Sequence, residues 1–319
     1  MRKAALIYNP ASGVRRERRA AQVESVCEVL RAARVEAEAT PTHGPGTAEE
    51  QACEAIAAGC DTILSCGGDG TAHEALQGIV AAGSQAALGV IPLGTGNALA
   101  NDLGLSRDPV LAARALLAGE SRRIALGRVE FTKPEGDAGA RYFLIMAGAG
   151  PDAHLLYTMN LAAKGRFGMG AYYTQAAWLF LTHDYPTFEV DVTESASGRT
   201  RTLTVAQMMA ARITYFGGAL RRLAHGATLY RDDMCVVLYR TPIRLRYFLY
   251  LLGVFVGLNW SVPGVELVLA SEVTCRDLEL KGGKRGSVVR AQADGELLGR
   301  LPVRLTMVPD ALTLLVPKK

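Results

Sequence analysis

The residues most suggestive of chemistry are Gly67-Gly68-Asp69-Gly70-Thr71: three glycines around one aspartate, after an apolar run and before a helical pattern. Glycine loses more conformational freedom on folding than any other residue, so three within four positions mark a backbone that turns tightly or approaches something closely. Two more glycine turns stand before expected helices, Asn9-Pro10-Ala11-Ser12-Gly13 and Pro92-Leu93-Gly94-Thr95-Gly96-Asn97. Backbone N–H groups in such turns and at helix N-termini suit anions, phosphate above all. Any one of them is equally a plain strand-to-helix turn. All three, with Ser12, Thr71 and Thr95 as hydroxyl donors, point to a nucleotide phosphate site, and Thr40 at the end of the second expected strand joins the set. Arg15, Arg16, Arg18 and Arg19 follow the first turn. They read either as a solvated helix face or as phosphate contacts, because cations at a helix start oppose its dipole unless an anion lies there.

These turns need a frame. Lys3–Asn9, Val35–Thr40, Asp61–Cys66 and Ala87–Ile91 read as short buried strands. Between and after them come helical patterns: a charged one from Arg15 to Ala33, one capped by Thr47, one over Thr71–Ala82, and one opened by Asp108-Pro109. Strand and helix in turn imply a parallel α/β sheet, whose strand-end loops share one edge. After Gly119 the pattern alternates, as in Arg122–Phe131, Tyr142–Ala147, Phe188–Thr193, Leu203–Ala210, Met234–Tyr239 and Val265–Val273, which reads as antiparallel strands. One clear helix is expected among them, over Gly170–Thr182. The expected domains are thus 1–122, α/β, and 123–307, β-rich; the strand-like Leu312–Val316 in the last segment, 308–319, is open to returning to the first.

Composition excludes several classes. The chain has 319 residues, 49% hydrophobic and 21% charged, with a net charge of +4, too mild for the basic stripe of a nucleic-acid binder. Its six cysteines form no C-x-x-C pair, which argues against metal clusters and disulfide frameworks and for a reducing, cytoplasmic setting. The opening MRKAALIYNP is too short an apolar run for a signal peptide. No G-x-x-x-x-G-K-[ST] loop occurs. Gly148-Ala149-Gly150-Pro151-Asp152-Ala153 fits G-x-G-x-x-A but lies in the β-rich part with no suitable helix expected after it, so it is not read as a dinucleotide site. Residues 247–260, YFLYLLGVFVGLNW, are too few to span a bilayer. They read as a buried core element or, with Arg240, Arg244 and Arg246 beside them, as an interfacial one.

The ordered motifs resemble the diacylglycerol kinase catalytic-domain family, which includes bacterial lipid kinases and sphingosine and ceramide kinases. The resemblance rests on Asn9-Pro10-x-Ser12-Gly13, Gly67-Gly68-Asp69-Gly70-Thr71 with Glu74, Pro92-Leu93-Gly94-Thr95-Gly96-Asn97, Gly150-x-Asp152-Ala153 and Asp294-Gly295-Glu296, spread from residue 3 to about 316. Asp294-Gly295-Glu296 alone reads as a hairpin turn. The resemblance implies a Rossmann-like nucleotide-binding α/β domain and a C-terminal β-sandwich, with the active site in the cleft between them. It implies ATP and Mg²⁺, with phosphates on Asn9–Gly13, Gly68–Glu74 and Thr95. It further implies Asp294 as the base for a lipid hydroxyl with Glu296 beside it, and Asp69 holding Mg²⁺, roles that are exchanged in the sphingosine kinase branch. Asp232 matches an aspartate that binds a second metal in some relatives, although Asp233 stands where they have glycine. Two departures matter more: Ala98 and Ala125 stand where the family usually has aspartate.

The resulting expectation is an ATP-dependent lipid kinase acting on diacylglycerol, a sphingoid base or a similar alcohol. It would work peripherally at the inner face of a membrane, with no transmembrane segment and no nucleic-acid partner, and in an oligomeric state left open, a dimer included. A catalytically impaired lipid- or nucleotide-binding regulator is the alternative, and an NAD kinase a weaker one.

Overall fold

A computed structural model describes residues 1–13, 16–133, 135–158, 174, 185–216, 223–256, 262–278 and 288–318. The chain divides into two compact units, Met1–Ala125 with Asp310–Lys319, and Leu126–Pro309.

The first unit alternates strand and helix. The strands are β1 (Lys3–Tyr8), β2 (Glu36–Pro41), β3 (Thr62–Gly67) and β4 (Ala87–Pro92). The helices are α1 (Arg19–Ala32), α2 (Thr47–Ala57), α3 (Asp69–Ala81), the one-turn α4 (Ala98–Asp102) and α5 (Pro109–Leu117). β1 pairs in parallel with β2 and β3, and β3 with β4. The far side of β4 takes the end of β15 (Val303–Val316), again in parallel, so residues 310–319 do return to this unit. Helices α1 and α5 pack together, as do α2 and α3, covering the sheet whose central strands β3 and β4 are buried throughout. Strands buried on both faces read as continuous apolar runs, which is why they were legible. Asp108 caps α5 as its sequence predicts, accepting from the N–H groups of Val110 (2.9 Å) and Leu111 (3.0 Å).

The second unit is an antiparallel sandwich, as expected. Its strands are the end of β5 (Glu120–Thr132), β6 (Ala138–Phe143), β7 (Met146–Ala149), β8 (Phe188–Glu194), β9 (Thr200–Val205), β10 (Gln207–Ala211), β11 (Met234–Tyr239), β12 (Val265–Arg276), β13 (Arg290–Ala293), β14 (Glu296–Arg300) and the start of β15. One layer runs β14-β13-β7-β10-β11-β12. At the register shift between Ala270 and Glu272, β12 leaves that layer and its second half pairs with β8 and β15, while β9 extends β8 and β6 extends β5. A bulge bends a strand without ending its ladder, so one long strand serves both layers. The core between them includes Val129, Phe143, Phe188, Val190, Met208, Val236, Leu238, Val273 and Leu305. The opposite face of β10 and β11 (Met209, Cys235, Val237, Tyr239) is covered by Tyr250 and Val254 of α7 (Arg244–Val256).

Several sequence expectations are corrected here. The strand expected over Tyr142–Ala147 is interrupted at Leu144-Ile145, whose N–H groups serve a side chain instead of a ladder. The strand expected over Leu203–Ala210 breaks at Ala206, whose N–H goes to Tyr239. A helix, α6 (Pro151–Thr158), does follow Gly148–Ala153, but it interrupts antiparallel strands and belongs to no parallel βαβ unit. The helix expected over Gly170–Thr182 lies outside the described residues except Thr174.

Close packing sets the tolerance of α2 against α3. A methyl added at Gly78 would run into the carbonyl oxygen of Glu49 and lie 2.8 Å from Cβ of Ala52. Gly78→Ala should therefore destabilise the chain by about 1–3 kcal/mol, whereas Asp108→Ala, losing only a cap, should cost about 1 kcal/mol. Urea denaturation of both variants at one pH checks the order.

Candidate active-site elements

In the first unit the three glycine turns converge at one edge of the sheet. Gly13, at φ +70°, lies so close to the third turn that a Cβ would meet Leu93 O at 2.6 Å. Ser12 Oγ donates to the same carbonyl at 3.4 Å. Gly94 packs onto the backbone of Gly68, and both Leu93 N and Gly94 N donate to Gly67 O (2.9 and 3.0 Å). A Cβ on Gly67 would meet Thr71 Cβ at 2.9 Å. The glycines at 13 and 94 are thus demanded by loop-on-loop contact and Gly67 by Thr71 of its own turn, whereas Gly70 faces open space.

The carboxylate of the aspartate between the glycines is engaged by backbone N–H groups. Asp69 is the first residue of α3, and its carboxylate reaches across to the third turn: Oδ2 accepts from Ala98 N (3.0 Å) and Oδ1 from Leu99 N (3.1 Å). It binds the N-terminus of α4, as an acid at a helix start should. Asn97 stands in the left-handed region (φ +52°), its amide closing a ring on Gly94 N and Gly94 O at 2.9 Å each. Beneath these residues a cavity of about 10 Å³, lined by Ser65, Asp69, Asn97 and Leu99 among others, has room for about one water. On these turns Gly70 and Thr95 are exposed.

Not every expected ligand joins this edge. Glu74 Oε2 accepts from Ala48 N at 3.1 Å, so it holds the start of α2. Thr40 lines a separate cavity of about 220 Å³ whose charged side chains are Lys3, Glu36, Glu38 and Glu54, and no residue of the three turns lines it. Asn9 Oδ1 accepts from Ala11 N at 2.8 Å, a side-chain turn that shapes the Pro10-containing loop. Arg19 is buried and donates to Ser12 O (2.6 Å) and Gln22 (2.9 Å), bracing the first turn from behind, and burial lowers its pKa. Arg18 is exposed; Arg15 and the side chain of Arg16 lie outside the described residues.

In the second unit, Asp294 and Gly295 link β13 to β14 with φ of +46° and +86°. Positive φ at both central residues is the signature of a type I′ hairpin turn, and Asp is among the few side chains that tolerate it. The Asp294 carboxylate accepts three backbone N–H bonds, from Leu144 (2.8 Å), Ile145 (2.9 Å) and Met146 (2.8 Å), and its own N–H goes to Met146 O. Glu296 is paired with Arg141 (3.4 Å).

Sequence reasoning did not foresee what braces this turn. Gln292 is buried: its Oε1 accepts from Gly295 N (3.0 Å), and its Nε2 donates to Asp152 Oδ2 (3.0 Å). Asp152 N donates to Gln207 Oε1 (3.3 Å). The other carboxylate oxygen of Asp152 is buried and has no partner among the described residues. Burial pushes the Asp152 carboxyl up to about 6, against the opposing pull of Gln292.

Asp232, the second metal candidate, is exposed, and Gly217–Leu220 of the same motif lies outside the described residues. Its neighbour Asp233 is tied to Arg231 Nε at 2.8 Å. Fully buried Arg212 donates to the carbonyls of Arg231 (2.6 Å), Leu229 (3.1 Å) and Asp233 (2.7 Å), and burial pulls it down to about 10. Cations hold this segment. Among the described residues no three His, Cys, Asp or Glu side chains cluster to hold a metal ion.

The comparisons with known proteins concern both units. The family model of the diacylglycerol kinase catalytic domain matches residues 3–129, and that of the YegS C-terminal NAD kinase beta sandwich-like domain matches residues 146–316. The chain belongs to the diacylglycerol kinase catalytic-domain family. Within that family it is similar to the diacylglycerol kinase of Bacillus subtilis (strain 168), 34% identical over 174 residues, 54% of each chain. It is also similar to that of Staphylococcus saprophyticus, 30% identical over 172 residues, 54% of this chain and 53% of the relative. These matches span about half the length of the curated relatives. Two solved structures from Bacillus anthracis str. Sterne superpose with TM-scores of 0.77 and 0.71 at 19% and 18% identity, covering 98% of this chain and 95% and 96% of theirs. The second is described as a diacylglycerol kinase. At that identity they establish the shared fold.

The raised Asp152 carboxyl makes stability depend on pH with a definite sign. The folded form holds the proton more tightly than the unfolded one, so the stabilisation is complete below about pH 4 and is lost as pH rises through about 6. Asp152→Asn, which keeps an acceptor for Gln292, should flatten the stability slope between those values. It should also raise stability near pH 8 by on the order of 2 kcal/mol relative to the parent. Denaturation midpoints of both proteins between about pH 4.5 and 8 test that slope.

Proposed function

We propose that this chain is an ATP-dependent lipid kinase that transfers the γ-phosphoryl group to a primary hydroxyl of diacylglycerol or a related lipid such as a sphingoid base. The observation that carries the reading is that three glycine turns lie against one another at one sheet edge, with the carboxylate of Asp69 tying the second turn to the start of α4. Phosphoryl transfer asks a protein for fixed N–H donors around phosphate oxygens and for placed carboxylates, and little covalent chemistry beyond that. The turns at Asn9–Gly13, Gly67–Thr71 and Gly94–Asn97 supply the backbone groups, with exposed Thr95 adding a hydroxyl, while Ser12 is engaged by Leu93 O and Thr71 is buried.

A donor set of one protein carboxylate, Asp69, with substrate phosphates fits Mg²⁺, which is commonly held by one or two carboxylates plus phosphate oxygens. When bound there, the ion would neutralise charge on the phosphates. The proton is the task of the other carboxylate. Asp294 is assigned as the base: as the lipid oxygen bonds to the γ-phosphorus and the bond to the β-phosphate bridging oxygen breaks, the hydroxyl proton passes to an oxygen of Asp294. Three N–H donors and a strained turn conformation fix that carboxylate, the kind of local cost that persists where position matters. Glu296 adds negative charge next to it, and Gln292 with Asp152 holds the turn.

Transfer of labelled γ-phosphate from ATP·Mg²⁺ to a panel of lipids in mixed micelles tests the reading. Asp294→Asn should lower kcat by about 10²–10⁴ while nucleotide affinity stays within about twofold, and Asp69→Asn should weaken nucleotide·Mg²⁺ binding itself. Nucleotide binding without phosphorylation of any lipid would overturn it. That result would favour the regulator reading, for which Ala98 and Ala125, standing at usual aspartate positions, are the supporting observation.

A further inference from the structure

Helix α7 has two apolar faces and uses only one of them for the core. Tyr250, Gly253 and Val254 are buried against β10 and β11. Leu245, Phe248, Leu252, Phe255 and Val256 are exposed, Leu245 at 62% and Phe255 at 65%, and Ile243 just before the helix is exposed too. At about 100° per residue these five helical positions fall within an arc of roughly 100°, a continuous stripe. Single exposed apolar side chains need no explanation, but a stripe of large ones marks a contact surface.

The charge beside the stripe names the partner. The helix reads RLRYFLYLLGVFV, with no acidic residue. Arg244 and Arg246 lie in its first turn, Arg244 beside the stripe and Arg246 on the side of Gly253 and Tyr250, and Arg240 precedes it. Cations at a helix N-terminus are unfavourable against its dipole, and an anionic surface reverses that sign. Arg244 extends over the Tyr185 ring (5.8 Å), and Arg240 reaches Glu266 at 3.5 Å, so the basic end is anchored to the sandwich. An apolar stripe with arginines at its N-terminal end, on a helix of 13 residues, is the pattern of an element that lies in the headgroup boundary of a bilayer. At about 1.5 Å per residue the helix is far too short to cross one, and among the described residues no helix is long and apolar enough to do so.

The geometry points to the exposed face of α7 as a docking surface for an anionic lipid bilayer. The partner is a surface of negatively charged headgroups over acyl chains. Leu245, Leu252 and Phe255 enter the acyl boundary, and Arg244 and Arg246 meet the headgroup phosphates. This deepens the lipid-kinase reading by naming how the chain meets its substrate phase, yet it is separately testable because docking needs no nucleotide and no turnover.

The full chain is sedimented with vesicles of phosphatidylcholine, and of phosphatidylcholine with phosphatidylglycerol, in the absence of ATP, at low and high salt. The parent should bind the anionic vesicles at least tenfold more strongly than the neutral ones, and salt should weaken the binding. The triple variant Leu245→Ser, Leu252→Ser, Phe255→Ser should lose at least tenfold, and Arg244→Gln with Arg246→Gln should remove most of the preference for anionic lipid. Leu111→Ser, at an exposed leucine on α5 of the first unit, serves as a control and should bind as the parent does. Far-UV circular dichroism and melting of each variant confirm folding, and these substitutions remove no core side chain. Parent protein that ignores vesicles, or a folded triple variant that binds like the parent, overturns the assignment. So does concentration-dependent self-association of the parent that the triple variant abolishes, since the face would then belong to a second copy. A kinase assay on a short-chain, water-soluble diacylglycerol separates the two readings: activity there with no vesicle binding sinks the docking surface and spares the kinase.

Discussion

The tie between the Asp69 carboxylate and the N–H groups of Ala98 and Leu99 is the constraint on which the first unit's candidate site depends. It joins the start of α3 to the start of α4, two helices that follow different strands. Charge-assisted bonds to a helix N-terminus are strong and directional. Because Asp69 is fixed at both oxygens, the Gly67–Gly70 turn and the Gly94–Asn97 turn cannot move independently. Gly13 and Ser12 then dock on Leu93 from the other side. One carboxylate and a few missing side chains make a single rigid edge from three loops. This also reframes the glycines: those at 13 and 94 let the loops touch one another, Gly67 clears Thr71 of its own turn, and Gly70 faces open space.

A second carboxylate plays an equivalent part in the second unit. Asp294 collects the N–H groups of Leu144, Ile145 and Met146, and to do so it ends β6 and restarts the chain as β7. The break in that strand and the fixed position of the aspartate are one event. Gln292 completes it by bonding the turn at Gly295 and the buried carboxyl of Asp152 with the two ends of one amide. In both units an acidic side chain satisfies backbone donors that no regular ladder serves, as buried N–H groups require. Each such carboxylate is structural, so any effect of its removal needs a stability measurement beside it.

The replacements at Ala98 and Ala125 take on meaning in this setting. Ala98 is nearly buried and contributes its N–H to Asp69, while Ala125 is buried on β5. An aspartate at either place would bring a further negative charge into or near a packed region that this chain fills with a methyl group. The carboxylate of Asp69 is therefore balanced by backbone dipoles at the start of α4.

How much of this was legible in the sequence follows from the range of the forces involved. Local patterns determined the alternating strands and helices of the first unit, the cap at Asp108, the hairpin at Asp294-Gly295 and the sandwich character of the second, because apolar periodicity and turn chemistry act over a few residues. The glycine turns were legible as turns for the same reason. What tertiary structure alone decided are pairings across long separations. The sequence does not show that Asp69 would bind the N-terminus of α4, that Glu74 would hold α2 instead of facing the turns, or that Thr40 would line a different cavity. Nor does it show that Arg19 would brace a loop from inside, or that Asp152 would reach the Asp294 turn through a glutamine 140 residues away. The apolar run from Tyr247 read first as a core element and second as an interfacial one. It became both, because a helix laid on a sheet can bury only one of its sides.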